Sequence, residues 1–219
     1  YGTIKTGSNS ETPGELLFYN GALPITIFTA TGGLDGGDDN EILIYKFEDV
    51  WKPFSTSAFQ INSSNKLDDR DPSIKIINLN TIYATWSAQD SIDTVDYNIC
   101  IRKYNGQTWS NLGPNLSLYI NRNPGDDVLP KLFSDTDGNS LMLFYINRYD
   151  NNNDTTATGI NIYKRSQNTW IDFKKLSNFM HNDEDTEVFS YNIHYFDTSN
   201  FYMVYSAKGG LDFGKDYEI

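Results

Sequence analysis

Three tryptophans, Trp51, Trp109 and Trp170, close stretches of one design and follow one another at nearly equal spacing. A recurrence at near-constant spacing outranks any local pattern, because it means that one supersecondary unit is built repeatedly and stacked on itself. The segments before the tryptophans, Glu41–Lys46, Asn98–Lys103 and Asn161–Arg165, share their character, and each leads into a short polar turn. Thr31–Asp35 returns as Lys208–Asp212, each carrying Gly-Gly-Leu-Asp, at three times the tryptophan spacing. The sequence reads as three units and most of a fourth.

The second unit holds four strand candidates in succession: Ser73–Ile77, Thr81–Ser87, Tyr97–Lys103 and Thr108–Leu112. All are short and rich in β-branched or aromatic residues, and Asn105-Gly106 supplies the positive φ of a tight hairpin between the last two. The other units repeat the order with Leu16–Tyr19, Pro24–Thr29, Glu41–Lys46 and Trp51–Phe54, then Leu129–Phe133, Leu141–Asn147, Ile160–Arg165 and Trp170–Phe173, and finally Val188–Tyr195 and Phe201–Ser206. No stretch carries helical periodicity. Four-stranded meanders repeated in this way predict an all-β fold, a β-propeller of three blades and a partial fourth, at about 15–66, 67–124, 125–182 and 183–219. A β-sandwich of short strands is the other all-β solution, but it needs no recurring strand-turn-Trp pattern. Residues 1–14 read as an N-terminal strand, Tyr1–Thr6, and a linker, Gly7–Gly14. So few blades do not close a ring, which leads us to expect further blades of a longer chain, pairing by the N-terminal strand, or a second copy at the open ends.

Arg102–Trp109 resembles a degenerate Asp-box, the Ser-x-Asp-x-Gly-x-Thr-Trp turn between the third and fourth strands of blades in sialidase-like (BNR-repeat) propellers. Phe47–Trp51 and Ser166–Trp170 keep the Trp and lose the Gly. The resemblance spans nearly the whole chain and implies fold rather than activity, with Trp51, Trp109, Trp170, Asn105 and Gly106 as structural repeat positions. The family's catalytic set of three arginines, a Tyr–Glu pair and an acidic Asp does not carry over onto residues of this sequence. Arg70, Arg122 and Arg148 fall in connections that share a face, yet Arg70 sits in Asp68–Asp71, where a local ion pair is the simpler reading.

Composition narrows the chemistry further. A net charge of −12 lacks the basic footprint that nucleic acid requires, and no apolar run reaches the roughly 20 residues of a membrane span. The single cysteine, Cys100, lies between Ile99 and Ile101 and reads as a buried, inert thiol. His181 and His194 are isolated, and no Gly-rich phosphate loop, HExxH pattern or paired-Cys site occurs. The many carboxylates offer no way to select a glycosidase pair.

The carboxylates are nevertheless unevenly placed. In a propeller, the loops joining second to third strands and those joining blades open on one face, and these carry 21 of the 29 acidic residues. That face would present Asp35, Asp38, Asp39, Asp93, Asp96, Asp150, Asp154, Asp212 and Asp216 as a binding surface, with Asp68, Asp69, Asp71, Asp126 and Asp127 in the inter-blade connections. The opposite face is mildly basic around Lys46, Arg102, Lys103, Lys164 and Arg165. Asp35, Asp38 and Asp39, and Asp135, Asp137 and Asn139, offer hard oxygen ligands suited to Ca²⁺, although the second set is equally explained by turn chemistry. Asn62, Asn115 and Asn153 head glycosylation sequons. These features point to a non-catalytic extracellular or cell-surface module that binds a glycan or protein through its acidic loop face. Two alternatives stand beside it: a sialidase-like glycoside hydrolase fragment, and a surface-layer or filament subunit whose opposed faces drive head-to-tail self-association.

Overall fold

A computed structural model of the chain describes residues 11–19, 21–31, 39–54, 61, 67–89, 96–113, 119–120, 125–134, 140–149, 157–166, 169–175, 187–195, 201–208 and 217–218. The described residues form an all-β architecture. β1 (Glu11–Tyr19), β2 (Leu23–Thr31), β3 (Asn40–Glu48) and β4 (Val50–Pro53) make the first antiparallel meander. β5 (Asp69–Asn78), β6 (Thr81–Gln89), β7 (Tyr97–Tyr104) and β8 (Trp109–Asn111) make the second. The third comprises β9 (Asp126–Ser134), β10 (Leu141–Tyr149), β11 (Ala157–Ser166) and β12 (Thr169–Lys175), and the fourth β13 (Glu187–Tyr195), β14 (Phe201–Lys208) and β15 (Tyr217–Glu218). This is the propeller order expected from the repeat. The strand expected at Tyr1–Thr6 lies outside the described residues.

Alternation along the strands gives the sheets two apolar faces, and the faces that meet between blades are buried. Ile25, Ile27, Ile42 and Ile44 of the first sheet meet Ile74, Ile82, Ala84 and Trp86 of the second. Ile99 and Ile101 meet Leu132, Leu141, Leu143 and Tyr145 across the next seam, and Met142, Phe144, Ile146 and Ile160 meet Tyr191 and Ile193 across the third. The core is therefore a series of inter-blade seams. The second and third tryptophans of the repeat lean backwards across them. Trp109 packs on the first seam beside Tyr104, whose ring meets Phe54 of the preceding blade edge-on at 5.3 Å. Trp170 is buried, and its indole N–H donates to the Leu112 carbonyl of the preceding blade at 2.7 Å. Trp51, in the first blade, rests on Phe47 and on the cluster of Phe28, Leu43 and Tyr45.

The inner strands begin earlier than the sequence suggests. Glu11–Gly14, expected as linker, pairs with β2 from Glu11↔Ala30 onward, and Asp69, Asp71, Asp126 and Asp127, expected in connections, are strand residues. The reason is a one-residue β-bulge that absorbs proline, which has no N–H to give to the ladder. The register shifts between Thr12 and Glu15, between Arg70 and Ser73, between Val128 and Lys131, and between Val188 and Ser190. The first three bulges contain Pro13, Pro72 and Pro130. Gly14 is required in the first, since a Cβ there would run into the Ile27 backbone.

The hairpin joining β7 to β8 follows the expected chemistry. Asn105 Oδ1 accepts the N–H groups of Gln107 and Thr108, and Gly106 turns with φ 94°. A Cβ at Gly106 would also lie 2.9 Å from Asn80 Oδ1. Gly106→Ala is expected to destabilise by about 1–2 kcal/mol, read as a lower urea midpoint at unchanged slope.

Candidate functional site

The bulges place one residue of each inner strand at the same point of the fold. Glu15, Ser73, Lys131 and Ser190 each come directly after the bulge, and they recur at the spacing of the tryptophans. Three of them touch. Ser73 Oγ lies 3.1 Å from both carboxylate oxygens of Glu15, and Lys131 Nζ lies 2.7 Å from Oε1. The backbone N–H of Ile74 completes the set by donating to Oε2 at 2.9 Å. Lys131 and Glu15 belong to the third and first blades, so their direct contact shows that the inner strands converge. Ser73 is buried beneath the pair, whereas the side chains of Lys131 and Glu15 keep 34% and 23% of their exposure, which leaves them within reach of a ligand.

The residues inside the bulges brace this ring. Asp71 and Leu129 occupy equivalent positions and both adopt the left-handed region, with φ 55° and 53°. For side chains of this size that costs about 1–3 kcal/mol each, and the neighbouring blades hold the conformation. Asp71 Oδ2 accepts the Leu129 N–H at 3.4 Å. The Leu129 carbonyl receives the Tyr191 hydroxyl of the fourth blade at 2.6 Å, while the Phe144 carbonyl lies 2.8 Å from the same hydroxyl. One phenolic proton is thus shared between two carbonyls. Burial, with Glu15 and Asp71 nearby, pushes the Tyr191 phenol well above its ordinary range.

Above the ring, the starts of β5 and β9 are pinned to the preceding blade. Asp68 Oδ1 accepts the Asn40 N–H, and the equivalent Asp126 Oδ1 accepts the Tyr97 N–H, both at 3.1 Å. Asp69 and Asp127 are fully buried and take the Trp86 indole N–H at 3.0 Å and the Asn147 amide at 2.6 Å. Arg70 lies 3.7 Å from Asp71, its expected local partner, but closer, 3.2 Å, to Asp126 of the next blade, and its guanidinium sits 3.5 Å from the centre of the Tyr97 ring.

Of the acidic surface read from the sequence, Asp39 and Asp96 are described. Asp96 Oδ2 accepts the Gly125 N–H at 3.1 Å, and Asp39 is half-buried just before β3. Asp35, Asp38, Asp93, Asp150, Asp154, Asp212 and Asp216 lie outside the described residues, as do the calcium candidates Asp135, Asp137 and Asn139, the sequon residues Asn62, Asn115 and Asn153, and His181 and Arg122. Among the described residues, no group of three or more His, Cys, Asp or Glu side chains is placed to hold a metal ion. Cys100 is buried, as its apolar neighbours implied.

Sequence reasoning missed the ring itself. The signal was present: Pro72 and Pro130 stand one repeat apart, each directly before a ring residue, with Pro13 close by in the first unit. Alignment on the tryptophans tracks the outer strands and passes over it.

Neither a protein-family model nor a curated protein matches the chain. Solved structures do. The GH93 α-L-arabinofuranosidase of Fusarium graminearum, in complex with arabinobiose, aligns with a TM-score of 0.61 at 18% identity, covering 92% of this chain and 58% of that one. A thermostable family-43 glycoside hydrolase aligns with a TM-score of 0.52 at 14% identity, covering 95% and 72% respectively. The chain thus spans less than two thirds of the arabinofuranosidase. At these identities the likeness establishes the β-propeller fold.

Because the Tyr191 phenol is raised in the folded state, its contribution to stability is complete below its ordinary value of 10.0 and is lost as pH rises beyond it. Alkaline unfolding from about pH 9 to 12 should show this loss in the parent chain and a flatter profile in Tyr191→Phe.

Proposed function

We propose that this chain is a non-catalytic glycan-binding β-propeller module whose ligand meets the converging inner strands at Glu15 and Lys131, with Ser73 and Asp71 beside them. The observation that carries the reading is the ring itself: a carboxylate and an ammonium from different blades, partly exposed and held in place by a buried hydroxyl and by the bulges. Such donors and acceptors suit the hydroxyls of a sugar, which both donate and accept. The structural neighbours include one solved with arabinobiose, which makes arabino-oligosaccharides the first ligands to try. The position differs from the acidic loop face read from the sequence. An extracellular or cell-surface setting, consistent with the sequons, and the sialidase-like affinity of the β7–β8 turn belong to this proposal.

The carboxylates of the ring favour binding over catalysis. A glycosidase needs two carboxyl groups facing the scissile bond, one to donate a proton and one to act on the sugar or on water. Glu15 has both oxygens engaged by donors from the second and third blades, and Asp71 accepts a backbone N–H. The neighbours' names support a second reading, a glycoside hydrolase acting on arabinofuranosides.

Calorimetric titration with arabino-oligosaccharides tests the first reading, with Lys131→Ala expected to weaken binding about tenfold. Release of arabinose from arabinobiose, abolished in Asp71→Asn, would establish the second instead.

A further inference from the structure

We propose that the Glu15–Lys131 ion pair acts as a charge filter at the ring, making Glu15 the residue that restricts the site to uncharged sugars; this rests on the glycan-binding reading. A lysine facing a sugar site would ordinarily recruit uronic acids, whose carboxylate pairs with an ammonium. Here that ammonium is neutralised at 2.7 Å by a carboxylate which is itself fixed by Ser73 and the Ile74 N–H. Among the described residues Arg70 is equally committed, held between Asp126 and Asp71 and stacked on Tyr97. In these described ion pairs two cations, Lys131 and Arg70, face three carboxylates, Glu15, Asp71 and Asp126, inside a chain of net charge −12. An anionic sugar would meet no uncommitted cation among these groups and a field of its own sign. A neutral sugar has only hydroxyls to place, and Glu15 and Lys131 remain partly open to it.

The filter has a specific weak point. Glu15→Gln keeps the side chain's shape and an acceptor for Ser73 and Ile74, but it leaves the Lys131 ammonium without its counter-charge. Loss of one carboxylate should therefore admit an anionic ligand.

The test is a calorimetric comparison of arabinobiose with digalacturonic acid on the parent chain and on Glu15→Gln. The parent chain should prefer the neutral disaccharide by about tenfold or more, and Glu15→Gln should narrow or invert that ratio by a similar factor. Selectivity of the parent chain should also fall as salt rises from about 10 mM to about 1 M, because screening weakens repulsion of the uronide and leaves neutral binding unchanged. This salt series needs no variant, so it tests the electrostatic exclusion even if Glu15→Gln fails to fold, while an unchanged ratio in a folded Glu15→Gln overturns the role of Glu15. Equal affinity of the parent chain for both sugars, or selectivity indifferent to salt, overturns the filter and leaves the glycan reading standing. Binding of neither sugar overturns the glycan reading, and the filter with it.

Discussion

The structure depends on carboxylates of one blade accepting backbone N–H groups of a neighbouring blade. Apolar seams supply the larger burial term, but they are nondirectional and allow sheets to slide. The latches fix the angle and the height. Asp68 and Asp126 reach back to Asn40 and Tyr97, while Glu15, Asp71 and Asp96 reach forward to Ile74, Leu129 and Gly125. Hydrogen bonds of this kind are oriented, and removing an acceptor strands a donor in a partly buried place, at a cost of about 1–3 kcal/mol. The acidity of the chain is thus partly structural.

The latches also explain why a strained backbone survives at the bulges. Asp71 and Leu129 adopt a conformation that their side chains disfavour, yet each is held by a neighbouring blade. The strain sits beside the ring residues and sets where they stand. A regular strand in the same register would move each following side chain to the other face of its sheet. Glu15 and Lys131 would then turn away from each other, and burying either charge without its partner would be costly.

The blades were legible in the sequence because strand alternation, the Asn105-Gly106 turn and the recurring tryptophans are local signals. Trp170 is buried and bonded to the preceding blade. The site was much less legible. Proline and a run of Asp in Asp68–Pro72 argue locally for a loop, and only pairing with β6 shows that the strand continues through them. Arg70 shows the same limit in its partner, because Asp126 lies in the next blade and yet is closer than the chain neighbour Asp71. Long-range contacts of this kind depend on how blades stack, and no single unit contains the information.

The backward lean of the tryptophans gives the fold a direction. Trp109 closes against the first blade and Trp170 donates to a carbonyl of the second, so β8 and β12 are each completed on a surface that lies earlier in the chain. During synthesis from the amino end, the second and third blades each find their template already made. A lesion in one blade should therefore disturb those that follow it more than those that came before.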